Sequence, residues 1–476
     1  MGSILSLAST RYRANQFDEV LYNNSSFKRQ KTSLSSYDES PRLIPSLPDE
    51  LSIQILAKVP RICYFNLRLV SQKWKQTIMS HELFQLRKEL GSTEEWLYVL
   101  TKADEELTWH ALDPLSRKWQ RLPPIPNVNA EESKISSSGI RLWNILAPHL
   151  KIPEVIRSWF GQKQPFDQMP FCGCAIGAVD GCLYVLGGFL RASTTSCVCR
   201  YDPVVNRWNE IAPMSKARAY SKTSILNNKL YVVGGVSQFR GGLLPLQSAE
   251  VFDPCTSTWS EVPSMPFAKS QLLPNAFWSD MLKPIATGMT SYMGRLYVSQ
   301  SLYSWPFFVD AGGEIYDPET NSWAEMPIGM AEGWPARQAG SKLSIVVDDE
   351  LYSFDPSSSR EYAKIKVYDQ KEDAWKVAVG KVPVYDSTDS ESPNLLASFH
   401  GKIHVIAKDS NHKVVVMQAD VRDNLDSPRW SSVSDSGASS DEPFASIVEP
   451  EAVIWKVVAC RDIRSAEIVS CQVVDV

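Results

Sequence analysis

A short pattern recurs along most of this chain and constrains its fold more than any other feature. An Asp is followed six residues later by a Trp at five places: Asp113 and Trp119, Asp202 and Trp208, Asp253 and Trp259, Asp317 and Trp323, Asp369 and Trp375. In the first four, Pro comes directly after the Asp. The Trp residues are 89, 51, 64 and 52 positions apart. A spacing near 50 residues predicts a repeated structural unit, with insertions in the longer intervals.

Each unit also contains an apolar strand pattern, introduced by residues that favour tight turns. Examples of the strands are Leu183-Tyr184-Val185, Leu230-Tyr231-Val232 and Leu296-Tyr297-Val298, and examples of the turns are Asp180-Gly181, Asn227-Asn228, Gly294 and Gly401. Gly and Asn accept the positive φ that two-residue hairpins require. Gly187-Gly188 and Gly234-Gly235 follow two of the strands, and this set resembles the kelch repeat. The resemblance implies four-stranded propeller blades, although the diglycine is absent from the later units.

The two ends of the chain are predicted to share one blade. Only three strand-like runs precede Pro123 in the first unit, and the run from Ala466 to Val474 can supply the fourth. Trp455 then lies in the outermost strand of the last blade. This arrangement predicts a closed six-bladed propeller over residues 94–476, which leaves no free sheet edge. Trp430 is an alternative marker for the last blade, so a seven-bladed ring remains open.

An amphipathic helical pattern precedes the repeats. Leu47-Pro48-Asp49-Glu50 is typical of a helix start, because Pro is tolerated there and carboxylates favour the positive end of the helix. Leu51, Ile55 and Leu56 form an apolar stripe that should run to about Lys58. A second helix is expected around Phe65, Leu69 and Val70, and a third around Trp74 and Ile78. Three helices in about 40 residues form a small core that usually depends on a partner.

These helices, over residues 43–88, resemble the F-box. The resemblance implies binding to a Skp-type adaptor of a cullin-based ubiquitin ligase, through Leu47, Pro48, Ile55, Leu56, Val59, Leu69, Val70 and Trp74. The fold class that follows is a small all-α F-box joined to an all-β kelch propeller. The alternative is that these apolar residues form only an internal helical core.

The kelch resemblance also implies a target-binding end of the ring. Arg218 and Arg337 precede inner strands, at positions that lie near the channel mouth in similar receptors, and Lys269 occupies a comparable place. Arginine can bind carboxylates through two parallel hydrogen bonds. Tyr220 and Trp334 could supply apolar anchors. Each of these five is equally compatible with an ordinary loop residue.

Composition and motifs argue against nucleic-acid binding and catalysis. A formal net charge of -5 gives no electrostatic reason for phosphate binding. His400 and His404 have Gly401 between them and lack an evident third ligand, and Cys197 and Cys199 are spaced as neighbours on one strand face. We therefore predict no metal, no cofactor and no active site. The leading function is a ligase substrate receptor, and the alternatives are a kelch scaffold and a propeller oxidase.

The remaining segments give weaker signals. Residues 1–40 are predicted to be a flexible arm, residues 127–168 a helical insertion and residues 421–450 a polar loop. The start, from Met1 to Ser6, matches the pattern for myristoylation of Gly2, which would give weak membrane association. We find no secretory or membrane-spanning signal and expect the protein in the cytoplasm, the nucleus or both.

Overall fold

The structure is a computed structural model, and it describes residues 42–103, 106–126, 173–190, 193–239, 242–266, 285–304, 307–334, 343–355, 363–383, 393–420 and 454–476. Several predictions fall outside these ranges: Gly2 and the arm 1–40, the insertion 127–168, the loop 421–450, and the residues Lys269, Arg337 and Trp430. Within the described ranges, no helix has the length and hydropathy needed to cross a bilayer.

The N-terminal module is helical. Its elements are α1 (Asp49–Ala57), a short 3-10 helix (Arg61–Cys63), α2 (Tyr64–Leu67), α3 (Gln72–Ile78) and α4 (His81–Glu89). Ser71 and Ser80 cap α3 and α4, since each side-chain oxygen accepts a hydrogen bond from a backbone N–H three residues later. The structure differs from the prediction in two ways. Leu69 and Val70 follow α2 in a turn, and α4 is an additional helix.

The rest of the chain forms six four-stranded antiparallel blades within the described residues. Blade I contains β1 (Glu95–Ala103), β2 (Glu106–Leu112) and β3 (Trp119–Arg121). Blade II contains β4 (Ala175–Val179), β5 (Cys182–Leu186), the ribbon of β6 (Phe189–Leu190) and β7 (Ser193–Thr194), then β8 (Val198–Asp202) and β9 (Arg207–Ile211). Blade III contains β10 (Lys222–Leu226), β11 (Lys229–Val233), the ribbon of β12 (Val236–Phe239) and β13 (Gly242–Pro245), then β14 (Ala249–Asp253) and β15 (Thr258–Val262).

The second half of the ring follows the same plan. Blade IV contains β16 (Ile285–Tyr292), β17 (Arg295–Ser304), β18 (Phe307–Asp317) and β19 (Ser322–Glu325), followed by helix α5 (Ile328–Gly333). Blade V contains β20 (Ser344–Val347), β21 (Glu350–Asp355), β22 (Ala363–Asp369) and β23 (Ala374–Val382). Blade VI contains β24 (Leu395–Phe399), β25 (Lys402–Lys408), β26 (Lys413–Asp420) and β27 (Ile454–Asp462), and the last strand is β28 (Glu467–Asp475).

The C-terminal strand closes the ring. β28 is the innermost strand of blade I and pairs antiparallel with β1, from Glu95 opposite Asp475 to Lys102 opposite Glu467. The predicted six-bladed ring with shared ends is therefore confirmed.

The Asp and Trp of the repeat have separate tasks. Each Asp accepts a hydrogen bond from the backbone N–H two residues on, which fixes the turn into the outer strand. Each Trp donates its indole N–H to a backbone carbonyl at the outer edge of the preceding blade. For Trp208 the acceptor is the Pro123 oxygen, at 3.0 Å. The repeated pair thus organises one blade and attaches it to its neighbour.

Candidate functional site

The helical module exposes a set of large apolar side chains. Their exposed fractions are 48% for Leu51, 46% for Ile55, 48% for Phe65, 84% for Leu69 and 59% for Val70. We call these five residues the apolar face. Exposed apolar side chains scattered singly are ordinary, but five from one module of about 40 residues indicate a surface for a partner.

Only some of the predicted adaptor contacts are available at the surface. Leu56 is 1% exposed and belongs to the internal core of the module, so the prediction that it contacts a partner is wrong. Val59 and Trp74 are partly buried and pack against the same core. The Trp74 indole donates a hydrogen bond of 2.7 Å to the Leu43 oxygen. Leu47 is partly buried and Pro48 is exposed.

A buried arginine connects the helical module to the ring. Arg87 is 3% exposed, and its Nη1 donates to the Ala57 and Val59 oxygens at 2.9 and 2.7 Å. Its Nη2 lies 3.4 Å from the Glu94 carboxylate. Glu94 in turn exchanges two backbone hydrogen bonds of 2.9 Å with Val476, beside the ring-closing strand. The end of α4, the start of blade I and the last strand are therefore joined at one point.

The module lies on one face of the propeller. Lys88 Nζ is 3.1 Å from Asp180 in the β4–β5 turn, and His81 Nε2 is 3.2 Å from Asp202 at the β8–β9 turn. Arg68 Nη2 donates to the Val204 oxygen of that second turn at 2.9 Å. First-second and third-fourth turns of an antiparallel blade lie at the same end. The other face carries the second-third connections and the segments that enter the inner strands.

Arg218 lies in one of those entering segments, but its side chain is completely buried. Its guanidinium forms an ion pair with Glu250, whose side chain is 2% exposed, and donates to the Gly234 and Ser248 oxygens at 3.0 Å each. Burial lowers the pKa of Arg218, and the Glu250 carboxylate opposes that shift. The prediction that Arg218 grips a target carboxylate is therefore wrong. It instead fixes the connection between β11 and β14.

Tyr220 and Trp334 are also packing residues. Tyr220 is 9% exposed, adopts a φ of 57°, and contacts Phe189 edge-on with ring centroids 5.9 Å apart. Trp334 is 5% exposed and lies edge-on to Trp375 at 5.9 Å. Little of either side chain can reach a target in this conformation. The burial of both contradicts their predicted role as anchors.

Two ribbons on the same face escaped the sequence prediction. The ribbons β6–β7 and β12–β13 lie side by side, and the Gln238 N–H donates to Thr194 Oγ1 at 3.1 Å. Leu244 in the second ribbon is 43% exposed. The repeat pattern contains no signal for them, because they extend only two of the second-third connections.

Histidine and cysteine positions were the basis of the metal question. His404 is 2% exposed, its Nδ1 lies 3.1 Å from the Lys402 oxygen, and burial lowers its pKa to about 4. Cys197 and Cys199 are buried with sulfur atoms 4.0 Å apart. Among the residues that the structure describes, no three His, Cys, Asp or Glu side chains gather in a metal-binding group.

Comparison with known proteins agrees with both modules. A family model for the F-box domain matches residues 44–86, and one described as FKB95, Kelch-repeats domain, matches residues 160–422. The F-box/kelch-repeat protein At1g22040 of Arabidopsis thaliana is 60% identical over all of both chains. This chain belongs to the F-box/kelch-repeat family. More distant relatives from the same plant are the F-box/kelch-repeat protein At1g30090, 27% identical over 65% of this chain and 64% of its own, and the F-box protein AFR, 26% identical over 66% and 68%.

Proposed function

We propose that this protein is the substrate-recognition subunit of a Skp-cullin-F-box ubiquitin ligase. The F-box binds a Skp-type adaptor, the propeller binds the target protein, and other subunits perform the ubiquitin chemistry. The protein is not itself an enzyme in this role, and we expect it in the cytoplasm, the nucleus or both.

The exposed apolar face of the F-box is the observation that carries the proposal. The module already has its own small core around Leu56, Ile78 and Leu83, so the five exposed side chains are not needed to fold it. Covering such side chains stabilises a complex by about 25 cal/mol for each Å² of apolar surface that is removed from water. A partner protein that covers the apolar face explains these exposed side chains better than a helical module that acts alone.

The position of the F-box favours the opposite face of the ring for the target. The F-box packs against the β4–β5 and β8–β9 turns, so an adaptor on the apolar face approaches from that side. The two ribbons and the segments entering the inner strands lie at the other end and leave room for a second protein. Because loops on a rigid scaffold carry binding specificity, this face is where we place target recognition.

The adaptor interaction can be tested by charge substitution at the most exposed positions. Leu69→Glu and Val70→Glu place carboxylates at side chains that are 84% and 59% exposed, so folding should be little affected. Burying an unpaired charge in the interface should weaken adaptor binding at least 100-fold in a binding assay with a purified Skp-type adaptor. Leu47→Ala together with Pro48→Ala should weaken it as well.

The chain offers a matched control. Val377 is 45% exposed in β23, the outer strand of blade V, and Val377→Glu makes the same chemical change as Val70→Glu, away from the blade II turns that the F-box contacts. It should leave adaptor binding unchanged. Binding that survives both F-box substitutions would favour a kelch scaffold acting outside a ligase.

A further inference from the structure

A cleft separates the F-box from blades I and II. Its volume is about 380 Å³, within the range of small-molecule sites. The F-box side carries Arg61, Tyr64, Phe65 and Arg68, and the ring side carries aromatic residues that include Trp96, Tyr98 and Tyr201. The cleft thus combines cationic and aromatic groups from two domains.

Two arginines in the cleft have no acidic partner. The Arg61 guanidinium lies 5.6 Å from the centre of the Trp96 ring and donates to the Pro203 oxygen. Arg68 donates from Nη2 to the Val204 oxygen, but its buried Nε has no hydrogen-bond acceptor. Among the described residues, neither guanidinium is paired with a carboxylate, whereas Asp202 beside them contacts His81 and Arg200 instead.

The electrostatic situation of Arg68 supports this description. Burial lowers its pKa, and the positive charge of Arg61 lowers it further. Tyr98 and Tyr201 are buried nearby, and burial raises the pKa of both phenols, so neither supplies the missing negative charge at neutral pH. Two neighbouring cations in a partly desolvated site repel each other, and an anion between them would remove that repulsion.

We propose that this cleft binds a small organic oxyanion, a carboxylate or phosphate attached to a flat apolar body. The oxyanion accepts hydrogen bonds from the guanidinium groups of Arg61 and Arg68, which both line the cleft, since guanidinium geometry suits carboxylate and phosphate alike. The flat body packs against Phe65, which lines the cleft and is 48% exposed. Because the ligand contacts the F-box and the ring together, its binding also stabilises their junction.

The experiment uses the full chain and four probes in isothermal titration calorimetry: 2-naphthoate, 2-naphthyl phosphate, neutral 2-naphthol and inorganic phosphate. We expect at least one naphthyl anion to bind at least tenfold tighter than 2-naphthol and than inorganic phosphate. The tighter of the two anions identifies the oxyanion. Equal binding of 2-naphthol, equal binding of inorganic phosphate, or no binding of either naphthyl anion at millimolar concentration would overturn the proposal.

Variants locate the site. Arg68→Gln should weaken naphthyl-anion binding at least tenfold, because a charge-assisted hydrogen bond is lost. That change also removes the bond to Val204, so Gln120→Trp provides a second route: Gln120 lines the cleft from β3, and a larger side chain fills it while both arginines stay. Arg295→Gln, which alters an exposed ion pair with Asp317 in blade IV, is the matched control. Unchanged affinity in Gln120→Trp would place the ligand elsewhere and refute this site.

Discussion

The ion pair between Arg218 and Glu250 allows a quantitative test of how the ring is held together. Replacing Arg218 by Met leaves the Glu250 carboxylate buried, with the Ser215 N–H at 2.7 Å as its recorded hydrogen-bond donor. In the same step the Gly234 carbonyl loses its hydrogen bond from Arg218, and the Ser248 carbonyl keeps only the one from the Gly234 N–H. Breaking one side of a buried pair costs about 3–5 kcal/mol, and we expect a loss of that size in the free energy of unfolding.

The second arm of this test removes both charges. Replacing Arg218 by Met and Glu250 by Leu leaves no buried unpaired charge, although the Gly234 and Ser248 carbonyls still lack the hydrogen bonds that Arg218 donated. We therefore expect the double variant to be at least about 2 kcal/mol more stable than Arg218→Met. Urea unfolding followed by circular dichroism supplies the free energies.

Two outcomes would refute the reasoning about Arg218. One is a loss below about 1 kcal/mol in Arg218→Met, which would mean that the side chain is solvated and available to a target. The other is a double variant no more stable than the single one, which would mean that packing rather than charge pairing explains the loss.

Two further predictions concern pH and the interdomain junction. The buried His404 has a pKa of about 4 instead of 6.5, so as the pH falls the unfolded chain takes up a proton on this residue before the folded chain does. Up to about 3 kcal/mol of the free energy of unfolding should therefore be lost between pH 6.5 and pH 4. His404→Phe should reduce the slope of melting temperature against pH, and an unchanged slope would contradict this. In Gly181→Ala the new Cβ would overlap the Phe84 ring of the F-box, whereas in Gly294→Ala it meets no atom within 4 Å, although the two φ angles are 69° and 72°. Both changes cost about 1–2 kcal/mol of stability, because Ala disfavours a positive φ. Only Gly181→Ala should also displace the F-box and speed proteolysis between α4 and β1. Equal rates of proteolysis in the two variants would argue against a tight junction.

The propeller was predictable because its repeated residues act locally. Asp202 bonds to a backbone N–H two residues on, and Trp208 lies six positions later at the edge of the same blade. These tasks are completed within one unit or against the unit before it, so a fixed spacing preserves them. The turn residues Asp180, Asn227 and Gly401 likewise adopt the positive φ that their sequence positions predict.

The predicted target contacts failed for a physical reason. Arg218 and Tyr220 have the residue types of a binding surface, but side-chain exposure depends on which residues the rest of the folded ring places opposite them. Glu250 is distant in sequence and lies on β14, so its ion pair with Arg218 exists only when blade III is complete. Periodicity locates a segment on one face of a ring without showing whether a side chain points outward or into the connection beneath it.

The F-box prediction was correct for some contact residues and wrong for Leu56, for the same reason. Helical periodicity correctly grouped Ile55 and Leu56 on an apolar side of α1, yet the structure buries Leu56 and leaves Ile55 46% exposed. An apolar stripe wide enough to include both residues must pack on one side against the core of the module and on the other side against a second protein. α4 completes the core of the module by packing against α1. Once α4 covers the Leu56 side, the Ile55 side is left for another protein. α4, the helix that the sequence analysis did not predict, therefore determines which apolar residues belong to the core and which to the interface.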